Sequence, residues 1–102
     1  MKYANLLMYS DIRPFEVVRK VSDVTLELRE MEADLSEEFT PKFVAGGFAA
    51  HCTNQLEQKY TYRSNESAPI IRARLRKDGY FWSKLGKHWL SHSPLRYHDY
   101  NF

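Results

Sequence analysis

A chain of 102 residues with 43% hydrophobic and 27% charged side chains has room for one globular domain and no more. No apolar run approaches the roughly 18 residues of a membrane-spanning helix, and the apolar patch before Asp11 is too short for a secretory signal, so a mature cytosolic start is expected. The single cysteine, Cys52, excludes an intrachain disulfide, and a net charge of +2 excludes a uniformly basic domain.

In chain order, residues 3–9 offer a first strand of poor periodicity. Pro14 then interrupts the pattern, because it cannot donate to a ladder and holds Arg13 extended. A strand over residues 15–21 follows, with Phe15, Val17 and Val21 offering a buried face, and Ser22-Asp23 supplies a tight turn. Val24, Leu26 and Leu28 then alternate strictly with polar residues. Met31, Ala33 and Leu35 are also spaced by two, but on the opposite parity. A bulge or bend near Arg29-Glu30 would keep both sets inward and let a small sheet curl. The rival is a short helix over residues 27–38, rich in Glu and Leu.

Thr40-Pro41 marks a loop. Residues 43–52 are apolar and glycine-bearing, and read as a core-covering loop with one helical turn through residues 49–55. No Lys-Ser/Thr follows Gly46-Gly47, so a phosphate loop is excluded. Tyr60 and Tyr62 then share one strand face while Lys59, Thr61 and Arg63 share the other. Residues 64–68 form a turn, and the clearest pattern in the chain comes next. Ile71, Ala73 and Leu75 alternate with Arg72, Arg74 and Arg76, an Asp78-Gly79 turn follows, and Tyr80-Phe81-Trp82 begins the return strand of a hairpin. Residues 83–87 are another tight connection, His88-Trp89-Leu90 a short strand, and residues 96–102 a closing strand. The sum is a mainly β domain, a small SH3-like barrel or rolled antiparallel sheet of five to seven short strands with at most one short helix.

Three stretches together resemble small uncharacterised proteins of bacteriophages, prophages and other mobile elements. They are residues 11–29 with their central Val17-Val18, the Gly46-Gly47-Phe48 to His51-Cys52-Thr53-Asn54-Gln55 segment, and the Arg76-Lys77-Asp78-Gly79 turn with the Tyr97-His98-Asp99-Tyr100-Asn101-Phe102 ending. The resemblance implies a bacterial cytoplasm and an accessory role in a phage or its conflict with a host. It implies no catalytic residue and no established activity.

The residues carry four candidate chemistries. Residues 1–57 hold 6 Lys/Arg against 10 Asp/Glu, and residues 58–102 hold 9 against 3, so the chain is bipolar. Arg72, Arg74 and Arg76 stand about 6.5 to 7 Å apart along one strand face, a spacing close to that of successive phosphates, and guanidinium forks suit phosphate. Lys59, Arg63, Lys77 and Lys84 extend that patch, with Tyr80 and Trp82 as stacking partners for bases. Against this, acidic strand residues near Glu27 can neutralise the same row. Second, Glu30, Glu32, Asp34, Glu37 and Glu38 can present carboxylates to a basic protein cleft, or simply protect a strand edge. Third, His51, Cys52, His88, His92 and His98 fit a zinc site poorly in spacing. Fourth, Cys52 with His51, or with His88 and Asp99, can be drawn as a thiol nucleophile, although a lone cysteine in apolar sequence is more often a small core residue. The expectation is therefore a non-enzymatic binding module without cofactor. Its leading partner is nucleic acid, and the alternative is a bacterial host protein that it inhibits or redirects.

Overall fold

Period-two alternation builds strands wherever the sequence carries it. The computed structural model describes residues 2–46, 49–52 and 54–99, and among these no α-helix occurs. The strands are β1 (Tyr3–Leu7), β2 (Ile12–Arg13), β3 (Phe15–Ser22), β4 (Thr25–Glu30), β5 (Glu32–Leu35), β6 (Phe43–Gly46), β7 (Ala49–Cys52), β8 (Tyr60–Arg63), β9 (Ile70–Leu75), β10 (Phe81–Ser83) and β11 (Gly86–Ser91), with a 3-10 turn at Gln55–Glu57. Six of them run in the order β11-β10-β9-β4-β3-β1, and β1 pairs back onto β11 to close an antiparallel barrel. The closing ladder runs from Tyr3 opposite Ser91 to Leu7 opposite Lys87. Strand β2 adds beside β1, with Leu6 opposite Arg13. Pro14 separates β2 from β3 because it brings no N–H to the ladder, while its carbonyl accepts the Met31 N–H at 3.0 Å. The expected small antiparallel barrel is what forms.

The barrel interior is Ala4, Leu6, Phe15, Leu26, Leu28, Ala73 and Phe81, with Val17, Ile71 and Leu90 packed against them. Register produces this set, since Leu26 faces Ala73, Leu28 faces Ile71 and Ala4 faces Leu90. Each such Leu or Phe removed from water stabilises the fold by about 1.5–3 kcal/mol. The β3–β4 ladder shifts register between Val17 and Arg19 and again between Lys20 and Ser22. Such bulges bend the strand, which a six-stranded ring needs.

The parity break at residue 31 marks where the chain leaves the barrel. Met31 is buried, and β5 then pairs with β8 in a separate two-stranded sheet, placing Ala33 opposite Tyr62 and Leu35 opposite Tyr60. The bent strand forms and the rival helix does not. Several side chains expected inside lie outside for a common reason, their position at strand ends. Val24 is in the β3–β4 turn, Val21 lies beyond the first bulge, Leu75 is the last residue of β9, and Leu35 ends β5; all four are exposed. Phe43–Gly46 and Ala49–Cys52 pair as a third small sheet, with Phe43 opposite Cys52 and Gly46 opposite Ala49, instead of a covering loop with a helical turn through residues 49–55. Gly47, Phe48 and Thr53 lie outside the described residues, as does the His51 side chain.

Among the described residues two polar side chains are fully buried, Asn5 on the outer side of β1 and His88 inside the barrel. Asn5 points to the outside of β1, where its amide donates to the Ser93 carbonyl at 3.2 Å and its oxygen accepts the Leu95 N–H at 2.9 Å. This clips the segment after β11 over the barrel. Further along, Tyr97 exchanges two backbone hydrogen bonds with Ile12, each 2.9 Å. A single bridge therefore replaces the closing strand expected at residues 96–102, of which 100–102 lie outside the described residues.

His88 sits between Leu6 and Phe81 in register, and its ring meets Phe15 edge-on at 5.1 Å. Its Nδ1 is 3.0 Å from the Ala4 carbonyl, which only accepts, so Nδ1 carries the proton. Nε2 then accepts from the Ser83 hydroxyl at 2.8 Å, and Ser83 in turn accepts the Leu85 N–H. Burial holds the His88 pKa below the ordinary 6.5. The sign follows. Below pH 6.5 the unfolded chain takes up a proton that the folded core refuses, so stability is full above that pH and declines as pH falls through the lowered folded value. Urea unfolding followed across this range should show a loss approaching about 1.4 kcal/mol per pH unit. His88→Gln should be less stable throughout and lack that part of the slope; an unchanged slope would refute the assignment.

Candidate nucleic-acid interface

The loop from Arg76 to Tyr80 is a type I turn closed by a glycine bulge. The Gly79 N–H bonds the Arg76 carbonyl at 3.0 Å and the Arg76 N–H bonds the Tyr80 carbonyl at 3.0 Å. Gly79 has φ +85°, which a glycine adopts without penalty. Asp78 organises the return strand. One carboxylate oxygen accepts the Tyr80 N–H at 2.9 Å and the other accepts the Trp82 indole N–H at 2.9 Å. The Tyr80 N–H above all holds the Asp78 carboxyl below the usual carboxylate range, opposed by desolvation and helped to a lesser degree by the indole N–H and the nearby Lys87 and Arg76 charges.

Register assembles the outer face from here. Thr25 of β4 lies opposite Arg74 of β9, Arg74 opposite Trp82 of β10, and Trp82 opposite Lys87 of β11. Directly opposed residues share a face about 4.5–5.5 Å apart, so these four form one row across four strands. The Arg76 guanidinium lies over the Trp82 ring, 4.4 Å from its centroid. The Lys87 ammonium lies 4.7 Å from the Tyr80 ring and 5.9 Å from that of Trp82. Exposed contacts of this kind are worth about 0.5–1 kcal/mol each. Beside them Leu75, Arg76, Lys77, Asp78 and Trp82 line a shallow cleft of about 470 Å³.

The three arginines have three different fates. Arg72 faces Glu27, with Nε 3.4 Å from its carboxylate, and Arg19 holds the other Glu27 oxygen at 3.0 Å. Arg74 faces Thr25 and has no ion pair among the described residues. Arg76 is stacked on Trp82, with no ion pair among the described residues. Lys77 and Lys84 are exposed, one in the turn before β10 and the other in the turn after it. Lys59 is not part of this face; it precedes β8 in the separate sheet, with its ammonium 3.3 Å from Glu38. The structure thus brings together Arg74, Arg76, Lys77, Tyr80 and Trp82, and adds Lys87 and Asp78, which the sequence reading did not single out. Lys87 was legible in principle, two residues before Trp89 on the outward parity of β11.

The acidic set is largely paired internally. Arg13 grips Glu30 in a bidentate pair through Nε, at 2.6 Å, and Nη2, and this contact raises the Arg13 pKa despite partial desolvation. Arg63 holds both Glu32, at 2.6 Å, and Asp34. Lys59 meets Glu38, and Glu37 is exposed without an ion pair among the described residues.

The His51 side chain lies outside the described residues, and the other three histidines each have their own setting. Both ring nitrogens of His88 are occupied inside the barrel, His92 is exposed after β11, and His98 faces Asp11 at 3.6 Å. Cys52 is buried, its sulfur 3.5 Å from the Asn54 side-chain oxygen. Since His88 spends both nitrogens elsewhere, it does not serve Cys52 as a base. Among the described residues no three His, Cys, Asp or Glu side chains group to hold a metal ion, and no helix is long and apolar enough to cross a membrane.

The fold and this face define a small closed antiparallel barrel carrying a basic, aromatic patch on its outer wall. No protein-family model, no curated protein and no solved structure matches the chain.

The turn that sets this patch has a direct test. A Cβ at Gly79 would meet nothing within 4 Å, so any cost of substitution is backbone strain rather than a clash. Gly79→Ala should destabilise the protein by about 1–2 kcal/mol in urea unfolding. Gly79→Asn, whose side chain tolerates positive φ, should lose less. Equal stability of glycine and alanine proteins would show that the turn does not need the left-handed residue.

Proposed function

We propose that the protein is a non-enzymatic nucleic-acid-binding module whose outer β9–β10 face engages the phosphate backbone. The observation that supports this most is the incomplete neutralisation of the arginine row: Glu27 takes Arg72, while Arg74 and Arg76 keep their charge beside Lys77 and Lys87. One carboxylate, Asp78, stands among these cations. A convex face with several uncompensated cations attracts a polyanion and releases its counterions on contact. The resemblance of the sequence to phage and mobile-element proteins supports a setting in the bacterial cytoplasm and an accessory role there. The alternative, a module that docks on a bacterial host protein through its acidic residues, has less to offer, because four of those five carboxylates are held by Arg13, Arg63 or Lys59.

Titration of labelled single- and double-stranded oligonucleotides at two salt concentrations tests the reading. Affinity should fall steeply with salt, and Arg74→Gln should weaken binding and lower the salt slope by about 0.7–0.9. Glu27→Gln should strengthen binding, because it releases Arg72 and Arg19 to the ligand. No binding at low salt would overturn the proposal.

A further inference from the structure

We propose that the ligand of this face is single-stranded nucleic acid, one unpaired base of which stacks on the layer formed by Arg76 over Trp82. The inference rests on the nucleic-acid reading above and narrows it.

The only polar atom of the Trp82 side chain is its indole N–H, which is already donated to Asp78 at 2.9 Å. Trp82 therefore has no hydrogen bond to offer a base edge, and what remains for recognition is its ring face. The same bond fixes the indole orientation before any ligand arrives, which lowers the ordering cost of binding. One face of that ring carries the Arg76 guanidinium at 4.4 Å. A guanidinium on an indole is itself a planar platform, and unpaired bases stack on arginine planes as they do on aromatic rings. Next to it the cleft of about 470 Å³, with Leu75 exposed on its wall, gives a base somewhere to lie. The Lys87 ammonium, 4.7 Å from the Tyr80 ring, and the unpaired Arg74 flank this platform as phosphate partners. In a duplex the base faces are hidden within the helical stack, so the duplex can use the cations but not the platform. A strand with splayed bases uses both.

The test compares oligothymidylate with a mixed-sequence duplex at one salt concentration, for the natural protein and for Arg76→Lys. This substitution keeps the charge and removes the plane. The natural protein should bind oligothymidylate more tightly than duplex. Arg76→Lys should lose roughly fivefold or more for oligothymidylate, with the salt slope unchanged and duplex affinity nearly so. In a Trp89→Phe background, oligothymidylate should also quench the remaining Trp82 emission. Equal or tighter binding of duplex, or full single-strand affinity in Arg76→Lys, would overturn the inference and leave the nucleic-acid reading standing. No binding of either probe at low salt would overturn both.

Discussion

The pairing of the first strand with the last is the contact on which the other features depend. Five residue pairs between β1 and β11 turn a curled sheet into a ring, and a ring has no open edge to pair with another chain. Closure fixes which parity of each strand faces inward. It brings His88 between Leu6 and Phe81 and puts the Ala4 carbonyl within 3.0 Å of the imidazole. Without that carbonyl and the Ser83 hydroxyl, an imidazole in this core would cost more than it gives, since unsatisfied buried polar groups cost about 1–3 kcal/mol. The same closure sends Lys87 outward beside Trp82. Core and surface patch thus share one cause.

On the outer wall the deciding interaction is Glu27. Its carboxylate is shared between Arg19 and Arg72 and is itself mostly covered, with 19% of its side-chain surface exposed against 61% for each arginine. Exposed pairs of this kind contribute about 0–1 kcal/mol to stability, too little for the fold to depend on them. Their effect is on the field. They occupy Arg72 at one end of the arginine row and leave the uncompensated charge on Arg74 and Arg76, toward the β9–β10 turn.

Much of this was readable from residues alone, and the boundary of what was readable has a physical origin. The hairpin over residues 69–82 is a local object: strict alternation and an Asp-Gly turn specify it within a few residues. The parity change after Arg29 was equally local, and it marked the departure of β5 from the barrel. What the sequence left open is non-local. Which arginine meets Glu27 depends on the β4–β9 register across some 45 intervening positions, and a two-residue slip would exchange Arg72 for Arg74. Likewise, the ends of strands carry the right parity but no cover, so Val24 and Leu75 have inward-type residues in exposed places. Lys87 was hidden by reading residues 83–87 as connection, when Gly86 already begins β11.

Asp78 is the residue that tests the coherence of the patch, because a carboxylate amid cations should repel a polyanion. Its geometry resolves the conflict. Both oxygens are engaged, one by the Tyr80 N–H and one by the indole of Trp82, so the charge works on the hairpin's own donors. The negative charge nevertheless persists and reduces the local potential. The turn therefore exchanges some long-range attraction for a fixed indole and for a tight path from β9 to β10. That exchange fits the proposed stacking of a base on this layer, for which ring orientation matters more than one unit of charge.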